Sequence, residues 1–199
     1  MCGRYYIGLE GDETPEELLR IIDALNRRRH DGALKTSGEI FPTDVAPVLA
    51  NARSGGIAPF AMRWGYRVPG GRPVINARAE TAADKPMFRD GMARRRCLIP
   101  ASGYFEWARE GDRRARYRIR PAGEGMCYLA GVYRIEQGQA GPVAAFSILT
   151  REAAPGVAFI HDRMPVILPA ACARDWLNHA LPAAKMIAEA AGEMAYWRD

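Results

Sequence analysis

Three groups of residues have types and spacings that support covalent or acid–base chemistry. The first is Cys2. Removal of Met1 is expected, because the small side chain at position 2 suits N-terminal processing, and it leaves an α-amine and a thiol on one residue. Such a 1,2-aminothiol condenses with an aldehyde through its amine, after which the thiol closes a five-membered thiazolidine. An α-amine pKa of about 7.7–8.0 keeps a useful neutral fraction at neutral pH. Arg4, two residues along, is expected to favour the thiolate. The plainer alternative is an incidental small residue behind the initiator.

The second group is Glu106 and His161. Glu106 lies among Tyr104, Phe105 and Trp107, which predicts a partly buried carboxylate with a raised pKa, suited to proton transfer. An outward-facing strand residue fits the same local pattern. His161 precedes Asp162-Arg163 and an apolar run from Met164 to Leu168, so a loop imidazole able to exchange protons near neutrality is expected. A structural histidine is the alternative. The third group is Asn76-Ala77-Arg78-Ala79-Glu80-Thr81, behind Val74-Ile75. An asparagine at a strand end orients a polar substrate, and Arg78 suits a phosphate. The same residues also read as a helix entry capped by Asn76. Other familiar sites are missing from the sequence: there is no dinucleotide Gly-x-Gly-x-x-Gly after a strand, no phosphate loop and no Gly-x-Ser-x-Gly elbow. His30, His161 and His179 are too far apart for a local metal motif. Cys2, Cys97, Cys127 and Cys172 never fall in Cys-x-x-Cys pairs, so neither a zinc site nor a dense disulfide framework is expected, and a reducing compartment is; no cofactor is expected.

The elements that must position these residues are legible in part. Thr14-Pro15-Glu16-Glu17 reads as a capped helix start, followed by Leu18, Ile21, Ile22 and Leu25 at helical spacing. Arg27, Arg28, Arg29 and His30 suit the last turn, before Gly32. From about residue 40 to 168, strand and turn signals dominate. Arg96–Pro100 and Tyr104–Trp107 are expected to pair across a small Ala-Ser-Gly turn. Arg116, Arg118 and Arg120 alternate with Tyr117 and Ile119, which places three cations on one strand face. Gly125–Ile135, Val143–Thr150 and Met164–Leu168 complete the strands, and Pro169–Ala180 and Pro182–Ala190 read as closing helices. Connections this short imply mainly antiparallel pairing. A single α+β domain over residues 1–199 follows.

The chain has 199 residues and a formal net charge of +5, enough length for a sizeable core without disulfides. No apolar run approaches the ~20 residues of a bilayer-spanning helix, and the N-terminus lacks the apolar core of a signal peptide. A cytoplasmic protein is expected. The basic residues comprise 25 arginines against three lysines. Ten of the arginines lie between Arg89 and Arg120, against Asp90, Glu106, Glu110 and Asp112, so that one segment holds +6. Concentrated arginine suits phosphate and is a candidate nucleic-acid footprint; a solvated surface is the alternative.

Five motifs occur in a set order: Met1-Cys2-Gly3-Arg4-Tyr5, Arg63-Trp64-Gly65, the Asn76–Thr81 run, Arg95–Ala101 with Gly103-Tyr104-Phe105-Glu106-Trp107, and His161-Asp162-Arg163-Met164-Pro165. In that order the chain resembles the SOS response-associated peptidase family, whose members crosslink to abasic sites in single-stranded DNA. The resemblance runs from Cys2 to about Leu168. It implies a single α+β domain with a mainly antiparallel, barrel-like core, flanking helices and a DNA groove. It further implies that Cys2 is the crosslinking residue, that Asn76 positions the opened sugar, and that Glu106 shuttles protons. His161 would assist ring opening, and Arg4, Arg78 and Arg163 would hold phosphates flanking the lesion. Two stretches depart from the family pattern. Gly38-Glu39-Ile40-Phe41-Pro42 stands where many relatives have Tyr-Asn-x-Ala-Pro, and Val68–Pro73 lacks the aromatic often found there. Trp64 is expected in the core.

The leading expectation is therefore covalent trapping of abasic sites through a thiazolidine on Cys2, with lyase-like and self-releasing activity, by a monomer associated with the nucleoid in a bacterial cell. A cysteine peptidase or N-terminal-nucleophile hydrolase, with Glu106 or His161 as base, uses the same nucleophile. A non-covalent nucleic-acid-binding module is the third possibility; for it, binding weakens with salt at a slope of about −0.7 per neutralised phosphate.

Overall fold

Period-2 burial dominates the chain. In Arg113–Pro121 the alternate residues Ala115, Tyr117 and Ile119 are buried, while Arg116, Arg118 and Arg120 remain half-exposed on the other face. The computed structural model describes residues 2–9, 16–26, 34–123, 126–138 and 141–199. Its first half runs β1 (Tyr5–Ile7), α1 (Glu16–Asn26), β2 (Gly38–Ile40), β3 (Val45–Asn51), β4 (Ile57–Trp64), β5 (Asn76–Arg78), α2 (Pro86–Arg94) and β6 (Arg96–Ala101). There follow β7 (Gly103–Glu110), β8 (Arg113–Pro121), β9 (Cys127–Gln137), β10 (Pro142–Glu152), β11 (Arg163–Pro165) and β12 (Ile167–Leu168). Short helices α3 (Ala170–Ala173) and α4 (Ala183–Ala188) flank a 3-10 turn at Arg174–Leu177, and β13 (Met194–Arg198) is the last element. No helix among the described residues is long and apolar enough to cross a membrane.

Two sheets form. One has the order β13-β8-β7-β1-β2. In the other, β10 pairs with β4, β4 with β3, β3 with β6, β6 with β9, and β9 again with β10. That circuit closes a five-stranded barrel, which leaves no free edge within the ring. The result is the expected α+β fold with a mainly antiparallel, barrel-like core. Along β6, Cys97, Ile99 and Ala101 enter one core cluster with Tyr5, Tyr104 and Ile119, whereas Leu98 enters a second with Leu25, Phe88, Met92 and Trp176. Strands buried on both faces read as continuous apolar runs rather than alternating ones.

Several expectations change. The strands β6 and β7 do not pair with each other; they belong to different sheets. Ser102 is the corner between them: its N–H donates to the Tyr6 carbonyl (2.8 Å) and its Oγ accepts from the Gly8 N–H (3.0 Å). Asn76 opens a strand, not a helix, because β5 lies parallel to β10 with Asn76 opposite Ile148. Both β5 and β4 pair in parallel with β10, through connections longer than a hairpin. The helix α2 falls where strands and turns were expected; Pro86 starts it and Phe88 and Met92 bury one side. The closing helices are far shorter than Pro169–Ala180 and Pro182–Ala190, and β13, which no sequence signal announced, adds to β8. The Thr14-Pro15 cap, Arg27–Gly32 and Gly125 lie outside the described residues.

The +6 segment does not form one patch. Arg96 is buried, and its guanidinium donates to the carbonyls of Met92 and Leu181, both at 2.9 Å, tying α2 to the turn before α4. Arg94 and Arg95 pair with Asp90. Trp64 is fully buried, as expected, with its indole N–H on the Ile75 carbonyl at 3.0 Å.

Candidate active site

Cys2 is fully buried at the entry to β1, within the core cluster that holds Tyr5 and Trp64. Its thiol points at the Arg4 carbonyl, 3.8 Å away. Burial, and next the charge of Glu106, push the thiol well above the ordinary cysteine range. This corrects the expectation that Arg4 favours a thiolate. The Arg4 guanidinium is engaged elsewhere, pairing with Glu39 at 3.0 Å and lying over the rings of Phe41 and Trp107 at 4.2 and 5.1 Å.

Asn76 reaches the same residue from the other sheet. Its Nδ2 donates to the Cys2 carbonyl at 2.8 Å, and the parallel pairing of β5 with β10 fixes where that amide sits. Its Oδ1 is buried, and no described residue donates to it. One hydrogen bond thus positions the Cys2 main chain, while an acceptor is left for an incoming donor.

Glu106 sits on β7 opposite Tyr117, with 5% of its surface exposed. Neighbouring Phe105 and Trp107 point to the opposite face, which is why Glu106 turns inward towards Cys2. Glu106, His161, Gly3, Arg4, Trp107, Arg109 and Arg114 line one cavity of about 330 Å³. His161 lies just before β11. Its Nδ1 accepts the Arg163 N–H at 2.9 Å and is 2.7 Å from a carboxylate oxygen of Asp162. The one nitrogen serves one contact at a time: without a proton Nδ1 accepts from the backbone, and with a proton it donates to Asp162.

The structure therefore brings Cys2, Asn76, Glu106 and His161 to one place, with Arg4 on the rim. Arg78, at the end of β5, is exposed and has no side-chain partner among the described residues. Arg163 is held more firmly. Its two Nη atoms pair with both oxygens of Glu80 at 2.7 and 2.8 Å, and it also donates to the Thr150 carbonyl at 2.6 Å. That pairing lowers the Glu80 carboxyl below the ordinary glutamate range. Sequence reasoning overlooked Glu39, which holds both Arg4 and Arg116. Its only signal was a glutamate inside the stretch that departs from the family pattern. No group of three or more metal-ligating side chains occurs among the described residues.

Fold and site together define a barrel-centred α+β protein whose buried cysteine lies between an amide and a carboxylate. The family model described as SOS response associated peptidase (SRAP) matches residues 1–198. The chain belongs to that family. It is 30% identical over 186 residues to abasic site processing protein YoqW of Bacillus subtilis, covering 89% of this chain and 80% of that protein. It is 35% identical over 121 residues to abasic site processing protein YedK of Escherichia coli, covering 59% of this chain and 54% of that one. A crystal structure of a protein from Bacteroides thetaiotaomicron superposes with a TM-score of 0.76 at 22% identity, over 99% of this chain and 91% of the other. A second, from Bordetella bronchiseptica, gives 0.73 at 23%. At those identities the likeness speaks for the fold alone.

Proposed function

We propose that this protein traps abasic sites in single-stranded DNA as a covalent adduct on Cys2. The observation that carries the reading is the convergence on one buried residue of the Asn76 amide at its carbonyl and the Glu106 charge at its thiol. Family membership and relatives named abasic site processing proteins support the substrate class.

The chemistry follows from the groups present. Excision of Met1 frees the Cys2 α-amine. An abasic sugar is mostly a closed hemiacetal, so its ring must first open to the aldehyde; His161 exchanges the proton that this requires. The amine adds to the carbonyl carbon and water leaves, giving an imine. The thiol sulfur then bonds to the same carbon, and its proton ends on the ring nitrogen. Overall, one water is released and no oxidant or reductant is consumed. Because the thiol resists ionisation, sulfur attack needs a partner to take its proton as it adds, and Glu106 is the carboxylate whose charge reaches it. Stopping at the imine would permit β-elimination and strand cleavage, and ring closure prevents that. Arg4 and Arg78 serve phosphates beside the lesion. Arg163 does so only by exchanging its Glu80 partner.

Lyase-like strand release and self-release are the reverse and side branches of the same imine. A peptidase reading of Cys2 calls for an activated thiolate, and the thiol here is pushed in the opposite direction. We place the protein at DNA in the cytoplasm, acting as a monomer.

Intact-mass measurement of the protein, alone and after incubation with abasic single-stranded DNA, tests this directly. The expected spectrum shows loss of Met1 and, with DNA, a denaturation-resistant adduct heavier by the oligonucleotide less one water. Retention of Met1, or no adduct, overturns the reading. Two variants should slow adduct formation and leave the product unchanged. Glu106→Gln keeps shape but cannot take the thiol proton, and should cost about a hundredfold in single-turnover rate. Asn76→Ala removes the hydrogen bond on the Cys2 carbonyl, and should cost about tenfold.

A further inference from the structure

The five-stranded sheet has a second face. Tyr5, Tyr104 and Ile119 point into the core, so their alternate neighbours point the other way. There the register of β1, β7 and β8 gathers Arg4, Arg109, Arg114, Arg116, Arg118 and Arg120. Arg109, Arg114 and Arg120 have no carboxylate in ion-pair distance among the described residues; Glu39 and Asp199 pair with the other three. The face is therefore strongly positive. It is also aromatic, since guanidinium groups lie over ring after ring. Arg116 sits 3.8 Å from the Phe105 ring centre, Arg118 5.7 Å from that of Tyr6, and Arg120 5.0 Å from that of Trp197.

The row begins at the reactive cavity, because Arg4 lines that cavity. It ends at a recess of about 360 Å³ between Tyr6, Arg118, Arg120, Trp197 and Asp199. The Trp197 side of that recess, on β13, leaves 45% of the tryptophan exposed. Three inter-strand steps separate β1 from β13, about 14 Å at the usual strand spacing, or the span of a few nucleotides.

We propose that an undamaged part of the same single strand runs from the Cys2 cavity across this face, with phosphates on Arg118 and Arg120 and a base stacked on Trp197. The proposal rests on reading the Cys2 cavity as a DNA site. Its physical basis is the pairing that sequence-tolerant single-strand binding requires: cations tracking the backbone and exposed π-faces accepting bases. Asp199, 3.3 Å from Arg118, holds the guanidinium in place.

Fluorescence anisotropy of undamaged oligonucleotides of about 5 and about 15 nucleotides, against salt, tests the track. Wild type should bind the longer strand more tightly. In Arg118→Gln/Arg120→Gln the salt slope for the longer strand should fall by about 1.4, corresponding to two phosphates. Trp197→Ala should weaken that strand about tenfold, whereas Trp197→Phe and Arg120→Lys should retain binding and report that the fold is intact. All variants should form adduct on the short abasic oligonucleotide at the wild-type rate. Unchanged long-strand binding in the double variant and in Trp197→Ala overturns the track, as does an equal loss on the short strand. Displacement of the long strand by polyglutamate as readily as by unlabelled DNA also overturns it, in favour of an acidic protein partner. If wild type forms no adduct while the long-strand losses persist, the reading of Cys2 fails and the track stands.

Discussion

Replacing Cys2 with alanine should lower the yield of stable DNA adduct by about a thousandfold or more, because the residue supplies the sulfur that no neighbour can replace. Alanine at position 2 still permits removal of Met1, so the amine remains and the imine still forms. The expected product therefore changes in kind as well as in amount. Borohydride should trap the imine in Cys2→Ala, and without borohydride the strand should be cleaved by β-elimination. Wild type should show little cleavage and needs no reductant to hold the DNA. Cys2→Ser should behave like Cys2→Ala while keeping the donor contact to the Arg4 carbonyl, which separates the loss of sulfur from any loss of packing. Truncating a fully buried cysteine opens only a small cavity, costing about 1 kcal/mol, too little to unfold an ordinary domain. As much stable adduct in Cys2→Ala as in wild type would sink the mechanism.

Gly103→Ala should destabilise the fold by about 3 kcal/mol or more. A Cβ at this position would lie 2.5 Å from the Ile119 carbonyl oxygen and 2.6 Å from the Tyr6 Oη. The tyrosine can swing aside, but the carbonyl belongs to the backbone of β8, so relief requires β7 and β8 to part. Gly103 is also opposite Tyr6 in the β1–β7 pairing, and three residues later the same strand presents Glu106. The substitution should therefore reduce stability and adduct formation together. Urea denaturation should show a lower midpoint with an unchanged slope, the mark of lost stability without altered compactness. Gly156→Ala is the control, since nothing lies within 4 Å of its added Cβ and its midpoint should barely move.

Local pattern reached some features directly and missed others for identifiable reasons. The alternation in Arg113–Pro121 predicts the strand and its charged face because period 2 is a property of the backbone itself. The helix from Glu16 follows from Leu18, Ile21 and Leu25 at helical spacing. By contrast, Pro86–Arg94 carries a proline start and two well-spaced apolar residues, but Gly91 weakens the pattern, and tertiary contact completes the helix. At Ser102 the sequence looks like a hairpin turn. Only the competing partners show that the chain changes sheets there, β6 pairing with β3 and β9, and β7 with β1 and β8. The strand Met194–Arg198 gains its partner from β8, far away in the chain.

The residue types around the site followed the same division. The thiol and amine latent in Cys2, the carboxylate among aromatics at Glu106 and the ordered motifs were legible because chemistry and spacing are written residue by residue. The sequence by itself therefore determined which functional groups the protein owns, its family resemblance and its strand-rich character. The tertiary structure alone decided that Asn76 grips the Cys2 carbonyl, that Glu39 rather than the thiol holds Arg4, and that Arg163 is locked to Glu80. It also decided that the Cys2 thiol resists ionisation. These facts depend on long-range pairing and desolvation, which arise only when segments distant in sequence exclude water together.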